Sequence, residues 1–364
     1  MTAEFLDKIL THDDSDINEA VRFIYALQHG KLSPLKSGID HLDTICLGGL
    51  FPGMIICIVS RSGMGKTFTV NQLRSNILSD KDRNVGMLLW NLEMEMKALL
   101  IQEFSKKIKN KTKAEILNTP PTQEELQIQK EVTDGFRDPR LLRINTTMTP
   151  EDFYKVNREY ILRNQDKYDQ LFILVDHIGI LKGSDKTESI HQTMEYVNQL
   201  KLEFSRKVTF IILGQLNRNI EARWKGKESN PMNVFPSSGD VYGSDAMYHY
   251  ADVILSQVIP SSVHMETYGV VNIERLPHMK EHVYDEDLNS PKELVRLKGH
   301  NRIYYHYLKV RQEDGNPKIY GQVLSKRVEE QENSLYKVYK QNEQPPEKPT
   351  NSKLEDYDDD EFDF

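Results

Sequence analysis

The chain has 364 residues, of which 38% are hydrophobic and 28% charged, enough apolar material for one large core or two small ones. That excludes a fibre, a peptide toxin and a wholly disordered chain. The net charge of −8 is concentrated at one end: from Gln341 to Phe364 nine acids stand against Lys348 and Lys353, leaving about −1 for the rest, so the acidity does not exclude a nucleic-acid partner.

Residues 1–12 lack the basic and apolar regions of a secretory leader, and the purest apolar run, Met54 to Val59, is too short to span a bilayer. Cys46 and Cys57 are the only cysteines, too few for a disulfide framework and not at metal-ligand spacing. A soluble protein of a reducing cytoplasm, with no membrane partner, is expected.

The first helical window is Ile17 to Leu27, with Asp14 or Ser15 as N-cap and Gly30 as stop. Its residues Val21, Ile24, Tyr25 and Leu27 share one broad face, which needs something to pack against. From Ser37 onward, β-branched and apolar runs at Met54–Val59, Val85–Trp90, Gln170–Val175, Val208–Leu213, Ala251–Val258 and Ile303–Val310 alternate with helical windows. Those windows are Thr67–Leu78, Met96–Lys107, Thr122–Gly135, Thr149–Asn164 and Ser189–Ser205, with Thr122 and Thr149 as caps, each followed three residues on by an acid. Strands alternating with helix-length connections predict an α/β fold whose mostly parallel sheet is flanked by helices on both faces. Beyond Val328 the composition turns to Glu, Gln, Asn, Lys and Pro and then to an acidic block, which predicts a disordered tail over 329–364.

Between the first strand and its helix lies Ser60-Arg61-Ser62-Gly63-Met64-Gly65-Lys66-Thr67, with Phe68 next in the helix. A loop in that position turns consecutive backbone N–H groups toward one point, and the helix N-terminus adds a field that favours phosphate. Gly65 lets the backbone approach the phosphates, Lys66 reaches the β- and γ-phosphates, and the Thr67 hydroxyl holds Mg²⁺. The first glycine of the usual phosphate-loop pattern is replaced by Ser60. A ligand-free glycine turn is the alternative, disfavoured by a Gly-Lys-Thr triplet in this strand-to-helix context.

Such a loop needs an acid on a neighbouring strand to position Mg²⁺ through water, and Leu171 to Asp176 ends an apolar strand in an aspartate. Glu93, just past Leu88-Leu89-Trp90-Asn91, is either the group that activates the attacking water or an ordinary helix-capping acid. Gly214-Gln215-Leu216-Asn217-Arg218 follows a third strand, where an amide and a cation either sense the γ-phosphate or begin a solvated loop.

Taken together, these segments resemble the RecA-like ATPase domain of DnaB-type hexameric replicative helicases. The likeness rests on Ser37 to Asp43 with Gly49 to Gly53, the phosphate loop, Asn91-Leu92-Glu93-Met94, the Asp176 strand, and Gln215 to Arg223, and it continues through Tyr242-Gly243-Ser244 and Ala251 to Ile254 to Lys309-Val310-Arg311. It implies a RecA-like domain over residues 35–328, preceded by a linker helix in 1–34 that packs on the next subunit and interrupted by an insertion at about 260–302. On this resemblance, residues 1–34 are expected to hold the linker helix and not the family's globular N-terminal domain.

By position, the resemblance makes Lys66 and Thr67 ligands of phosphate and Mg²⁺, Glu93 the catalytic base, Asp176 the Mg²⁺-side acid and Gln215 the γ-phosphate sensor. Lys309 and Arg311 match the lysine and arginine finger that enter the neighbouring subunit's site. DNA would be held by loops near Gly179–Ser189 and Asn219–Asp240, the second offering Arg223, Lys225 and Lys227 to phosphates and Trp224 as a stacking ring. The implied activity is ATP- and Mg²⁺-dependent unwinding by a hexameric ring moving 5′-to-3′ on single-stranded DNA, in a bacterial cytoplasm or in that of a phage's host. Primase, a loader or a single-stranded-DNA-binding protein are the implied partners.

The terminal Asp-Asp-Asp-Glu-Phe-Asp-Phe resembles the acidic tips of single-stranded-DNA-binding proteins, as a docking peptide or as a tail that competes with DNA. Two other functions fit the motifs: a RecA-like recombinase or mediator that forms filaments, and a non-hydrolysing ATP-binding scaffold or loading partner.

Overall fold

The computed structural model describes residues 15–30, 33–80, 82–108, 111–183, 185–225, 231–282, 294–300, 302–311 and 318–323. The acidic tail expected over 329–364 lies outside them. Ten strands are described: β1 (Ile55–Ser60), β2 (Val85–Asn91), β3 (Leu141–Ile144), β4 (Gln170–Asp176), β5 (Val208–Gln215), β6 (Val253–Val258), β7 (Thr267–Asn272), β8 (Leu294–Lys298), β9 (Arg302–Val310) and β10 (Lys318–Val323). Eight form one sheet in the order β10-β9-β6-β1-β5-β4-β2-β3, while β7 and β8 pair separately. The pairings from β6 to β3 are all parallel, and β9 and β10 close the other end antiparallel.

The six runs read as strands are strands, and four extend at their C-terminal ends into a polar residue: Ser60, Asn91, Asp176 and Gln215. Strands β1, β2, β4 and β6 are buried along their whole length, as parallel strands covered on both faces must be. Alternate residues feed two cores: Cys57 and Val59 face Trp90 and Phe153 on one side, while Ile56 and Ile58 face Leu73 and Met87 on the other. Both cysteines are free and buried, and burial pushes each thiol up to about 12. Strand β3 was not legible in the sequence, because it is a four-residue edge strand with only Leu141 buried.

The helices follow their caps. The window beginning at Thr122 is the helix Gln123–Phe136, with a complete capping box: Glu125 N–H donates to Thr122 Oγ1 at 3.2 Å, and Thr122 N–H to Glu125 Oε2 at 2.8 Å. Thr149 caps Pro150–Asn164 in the same position. The helix expected from Ser189 starts earlier, at Lys186, because Asp185 accepts from the N–H groups of Thr187 and Glu188. That cap shortens the expected Gly179–Ser189 loop.

The first helix, Ser15–Gln28, sets Phe23 edge-on to Phe51 with ring centroids 5.6 Å apart. It leaves Ile17, Val21 and Ile24 exposed. The 260–302 stretch carries β7 and β8, with 283–293 and 301 outside the described residues.

One polar contact locks the layer behind β2. Trp90 Nε1 donates to Asn157 Oδ1 at 3.0 Å, and Asn157 Nδ2 donates to Phe153 O at 2.7 Å, with Asn157 wholly buried. Replacing Asn157 by Leu keeps the volume but strands the indole N–H. Urea unfolding of Asn157→Leu should show a loss of about 1–3 kcal/mol, and an unchanged midpoint would mean that the contact contributes nothing.

Candidate functional site

The parallel order brings the C-terminal ends of β1, β5, β4 and β2 side by side, and the register is close: Ser60 pairs with Gln215 and Asn91 with Asp176. A ligand crevice at the carboxyl ends of parallel strands follows from this topology. Four of the residues singled out in the sequence therefore meet along one edge although they lie up to about 150 positions apart in the chain.

The loop after β1 turns through Gly63 and Gly65 at φ of +81° and +84°, a left-handed conformation that side-chain-bearing residues avoid. A Cβ at Gly63 would meet nothing within 4 Å, so the loop's mouth is open. The helix Lys66–Ser79 begins directly behind it, with no side-chain cap at Gly65 to occupy its first N–H groups. From behind, β6 holds the loop: Gln257 Nε2 donates to Met64 O at 2.6 Å, Thr69 Oγ1 donates to Gln257 Oε1 at 2.9 Å, and Met64 Sδ accepts from Ile259 N–H at 3.2 Å. Gln257 was missed in the sequence, where it reads as one polar residue in an apolar strand.

Lys66 is 8% exposed, and its ammonium donates to Ser60 O at 3.1 Å, Ser60 Oγ at 3.3 Å and Arg61 O at 3.3 Å. Burial lowers its pKa, while the charges of Glu93 and Asp176 raise it. Asp176 is pushed up to about 7 by burial and by the Glu93 charge, with Lys66 acting the other way. Its Oδ1 is buried and has no hydrogen-bond partner among the described residues. Glu93 is exposed just past β2 and Gln215 is half-buried. His177, also missed in the sequence, lies against Gln215 and is held neutral chiefly by burial; its Nδ1 accepts from Gly179 N–H at 2.9 Å.

These groups fit a nucleotide phosphate chain with Mg²⁺. The fit consists of an open glycine turn at a helix N-terminus, an ammonium bonded only to neutral oxygens, the Thr67 hydroxyl in the first helical turn, and a buried carboxylate oxygen without a partner.

Lys309 and Arg311 are not at this edge. Lys309 is in register with Ile254 and Val310 with Val253, while Val253 pairs with Ile56 at the start of β1. From there the loop lies at the far end of β1, roughly 16 Å away at about 3.3 Å per residue. Arg311 pairs with Asp252 Oδ1 at 3.0 Å and donates to His249 O at 3.1 Å. Lys309 donates to Tyr248 O and His249 O, at the end of the helix Ser244–Tyr250.

Of the residues expected to touch DNA, Lys225 is exposed and Lys227 lies outside the described residues. Trp224 departs from expectation. It is only 5% exposed, and its Nε1 donates to Val234 O at 2.9 Å, so the ring packs beneath the 231–240 segment and offers no stacking face. Arg223 is paired with Asp240 at 2.6 Å.

A family model of the DnaB-like helicase C-terminal domain matches residues 34–267. Among solved structures, an ATPase domain aligns at 18% identity and a TM-score of 0.61, covering 87% of this chain and 98% of that one. A DnaB-like replicative helicase, described with its interactions with primase, aligns at 18% identity and a TM-score of 0.57, covering 87% of this chain and 66% of that one. At this identity the structural likeness speaks for the fold alone. No curated protein matches the chain. Among the described residues no helix is long and apolar enough to cross a membrane.

The buried carboxylate has a stability signature. With its folded pKa near 7 against 3.8 unfolded, the protonated form is favoured on folding; stability is full below about 3.8 and is lost as pH rises through about 7. Thermal melts of Asp176→Asn without metal should therefore show a higher melting temperature than the parent at pH 8, the gain shrinking as pH falls toward 4. A gain that does not depend on pH would contradict the buried charge.

Proposed function

The chain belongs to the DnaB-like helicase family, and from that premise we propose that it is an ATP-driven DNA helicase. Copies of it form a ring, six in the family pattern, hydrolyse ATP between subunits and travel 5′-to-3′ on single-stranded DNA, opening the duplex during replication. One observation carries this reading: Lys66, Asp176 and Gln215 gather at one sheet edge, with Glu93 just past it, while Lys309 and Arg311 stand at the other, out of reach of their own loop. A site with its cations on the wrong side is completed by a second copy.

In that scheme the first N–H groups of the Lys66 helix and the Lys66 ammonium bind the phosphate chain, Lys66 leaving the carbonyls of Ser60 and Arg61. Thr67 and, through water, Asp176 would hold Mg²⁺, which when bound neutralises charge on the β- and γ-phosphates. Glu93, exposed at the strand end, takes the proton of the attacking water. Gln215 reads the γ-phosphate, and its strand leads directly into the segment that carries the DNA contacts. Arg311 of the next subunit stabilises charge on the transferring phosphoryl group, which makes turnover depend on assembly. The exposed apolar face of Ser15–Gln28 supplies that assembly by docking on the next subunit.

Arg223, Lys225 and Lys227 grip the DNA backbone, without a stacking contribution from Trp224. The acidic tail is the element through which primase, a loader or a single-stranded-DNA-binding protein would engage, and the setting is the cytoplasm.

The test is strand displacement on a forked duplex with ATP and Mg²⁺, comparing 5′-tailed with 3′-tailed substrates. Unwinding should need the 5′ tail and vanish in Lys66→Ala; DNA-stimulated hydrolysis without unwinding would favour a recombinase-like ATPase. Arg311→Ala should bind nucleotide nearly as the parent does yet lose turnover, and mixing it with Lys66→Ala subunits should restore some hydrolysis. No recovery on mixing, together with lost nucleotide affinity, would place Arg311 in its own subunit's site.

A further inference from the structure

The phosphate loop has a second attachment that the nucleotide chemistry does not need. Arg61, its second residue, reaches the segment that follows β5; Nε donates to Glu221 Oε1 at 2.6 Å and a terminal nitrogen donates to Leu216 O at 2.9 Å. The two side chains are 14% and 34% exposed. An ion pair this sheltered is screened far less than a surface pair, and removing one partner leaves a half-buried charge unmatched.

Glu221 sits on the short helix Asn219–Lys225, whose other side-chain hydrogen bonds tie it to residues 234–240 of the segment expected to hold DNA. Arg223 pairs with Asp240 at 2.6 Å and Trp224 donates to Val234 O at 2.9 Å. Asp240 also accepts from Ser237 N–H at 2.7 Å, and Asn217 N–H donates to Asp240 O at 2.6 Å. Phe235 in turn packs on Tyr268 of β7 and on His306 of β9, with ring centroids 5.2 Å apart in both cases. Residues 216–225 and 231–241 are thus cross-linked at several points, and the Arg61–Glu221 pair joins this body to the phosphate loop.

We infer that Glu221 is a positioning residue for the phosphate loop: through Arg61 it sets the loop according to whether the cross-linked residues 216–225 and 231–241 are engaged by single-stranded DNA. When the phosphates of a strand draw on Arg223 and Lys225, the helix that carries them also carries Glu221, and the loop responds at Arg61. The coupling is reciprocal by linkage, so nucleotide in the loop also alters the affinity for the strand. The inference rests on the helicase reading above, because it takes DNA as the ligand of Arg223 and Lys225.

The experiment uses the full chain with Mg²⁺-ATP and oligo(dT) as the strand, comparing the parent with Glu221→Gln and Glu221→Asp. Turnover is read with and without oligo(dT), and strand affinity by fluorescence anisotropy with and without a non-hydrolysable ATP analogue. In Glu221→Gln, turnover without DNA should stay within about twofold of the parent, while stimulation by oligo(dT) falls about fivefold or more and the nucleotide-dependent change in strand affinity disappears. Glu221→Asp keeps the charge and should recover most of the stimulation.

Full stimulation in Glu221→Gln, or equal losses in both variants, would overturn the inference while leaving the helicase reading standing. A parent that oligo(dT) neither binds nor stimulates would bring down the helicase reading and the inference with it.

Discussion

Everything in this molecule depends on the in-register parallel pairing of β1, β5, β4 and β2. A parallel strand must be reached by a crossover, crossovers pack as helices on the sheet faces, and the strands between them are buried on both sides. Polar residues are therefore few in the strand bodies and collect where the strands emerge. Ser60, Asn91, Asp176 and Gln215 are the residues at which the four strands end, Ser60 level with Gln215 and Asn91 with Asp176, while β5 reaches two residues beyond β4. The site is a consequence of the sheet, and its residues need no proximity in the chain.

That position is electrostatically expensive. Asp176 and Lys66 are both buried, one shifted up and the other down, and each finds only partial compensation in the other. The folded protein thus holds a carboxylate oxygen with no donor among the described residues and an ammonium resting on neutral oxygens, an electrostatically unfavourable arrangement.

The opposite edge is organised around Asp252. It is 8% exposed, and its carboxylate accepts from Ile55 N–H at 2.8 Å, from Lys201 at 2.6 Å and from Arg311 at 3.0 Å. One buried acid therefore ties the start of β1 to the long helix Lys186–Glu203 and to the end of β9. It also holds Arg311 in place, with that side chain about half exposed. The two edges are linked along β1, whose far end carries the phosphate loop.

Much of this was written locally in the chain. Continuous apolar runs named the strands, because burial on both faces leaves no alternation to misread. Thr122 and Thr149 named helix starts, because a cap is a contact between residues three apart, and the Gly-Lys-Thr triplet named the glycine turn and the helix start behind it, because backbone conformation is a local property. Trp224 shows the converse: its neighbours Arg223 and Lys225 in the chain suggest a basic surface, and only the return of Val234 ten residues later covers it. Asp185 was overlooked as a cap, and β3, β7, β8 and β10 were too short or too polar to stand out.

What the sequence determined by itself is the α/β class, the strand and helix periods, the phosphate loop and the acids that end strands. Tertiary structure alone decided that Lys309 and Arg311 lie at the far edge from their own loop, that Gln257 braces that loop, and that Arg61 is bound to Glu221. The reason is the range of the interactions. Hydrogen-bonded turns and burial periods act over a few residues and leave a pattern in the chain, whereas the contacts from residue 61 to 221, 64 to 257 and 252 to 311 exist only once the sheet has chosen its strand order.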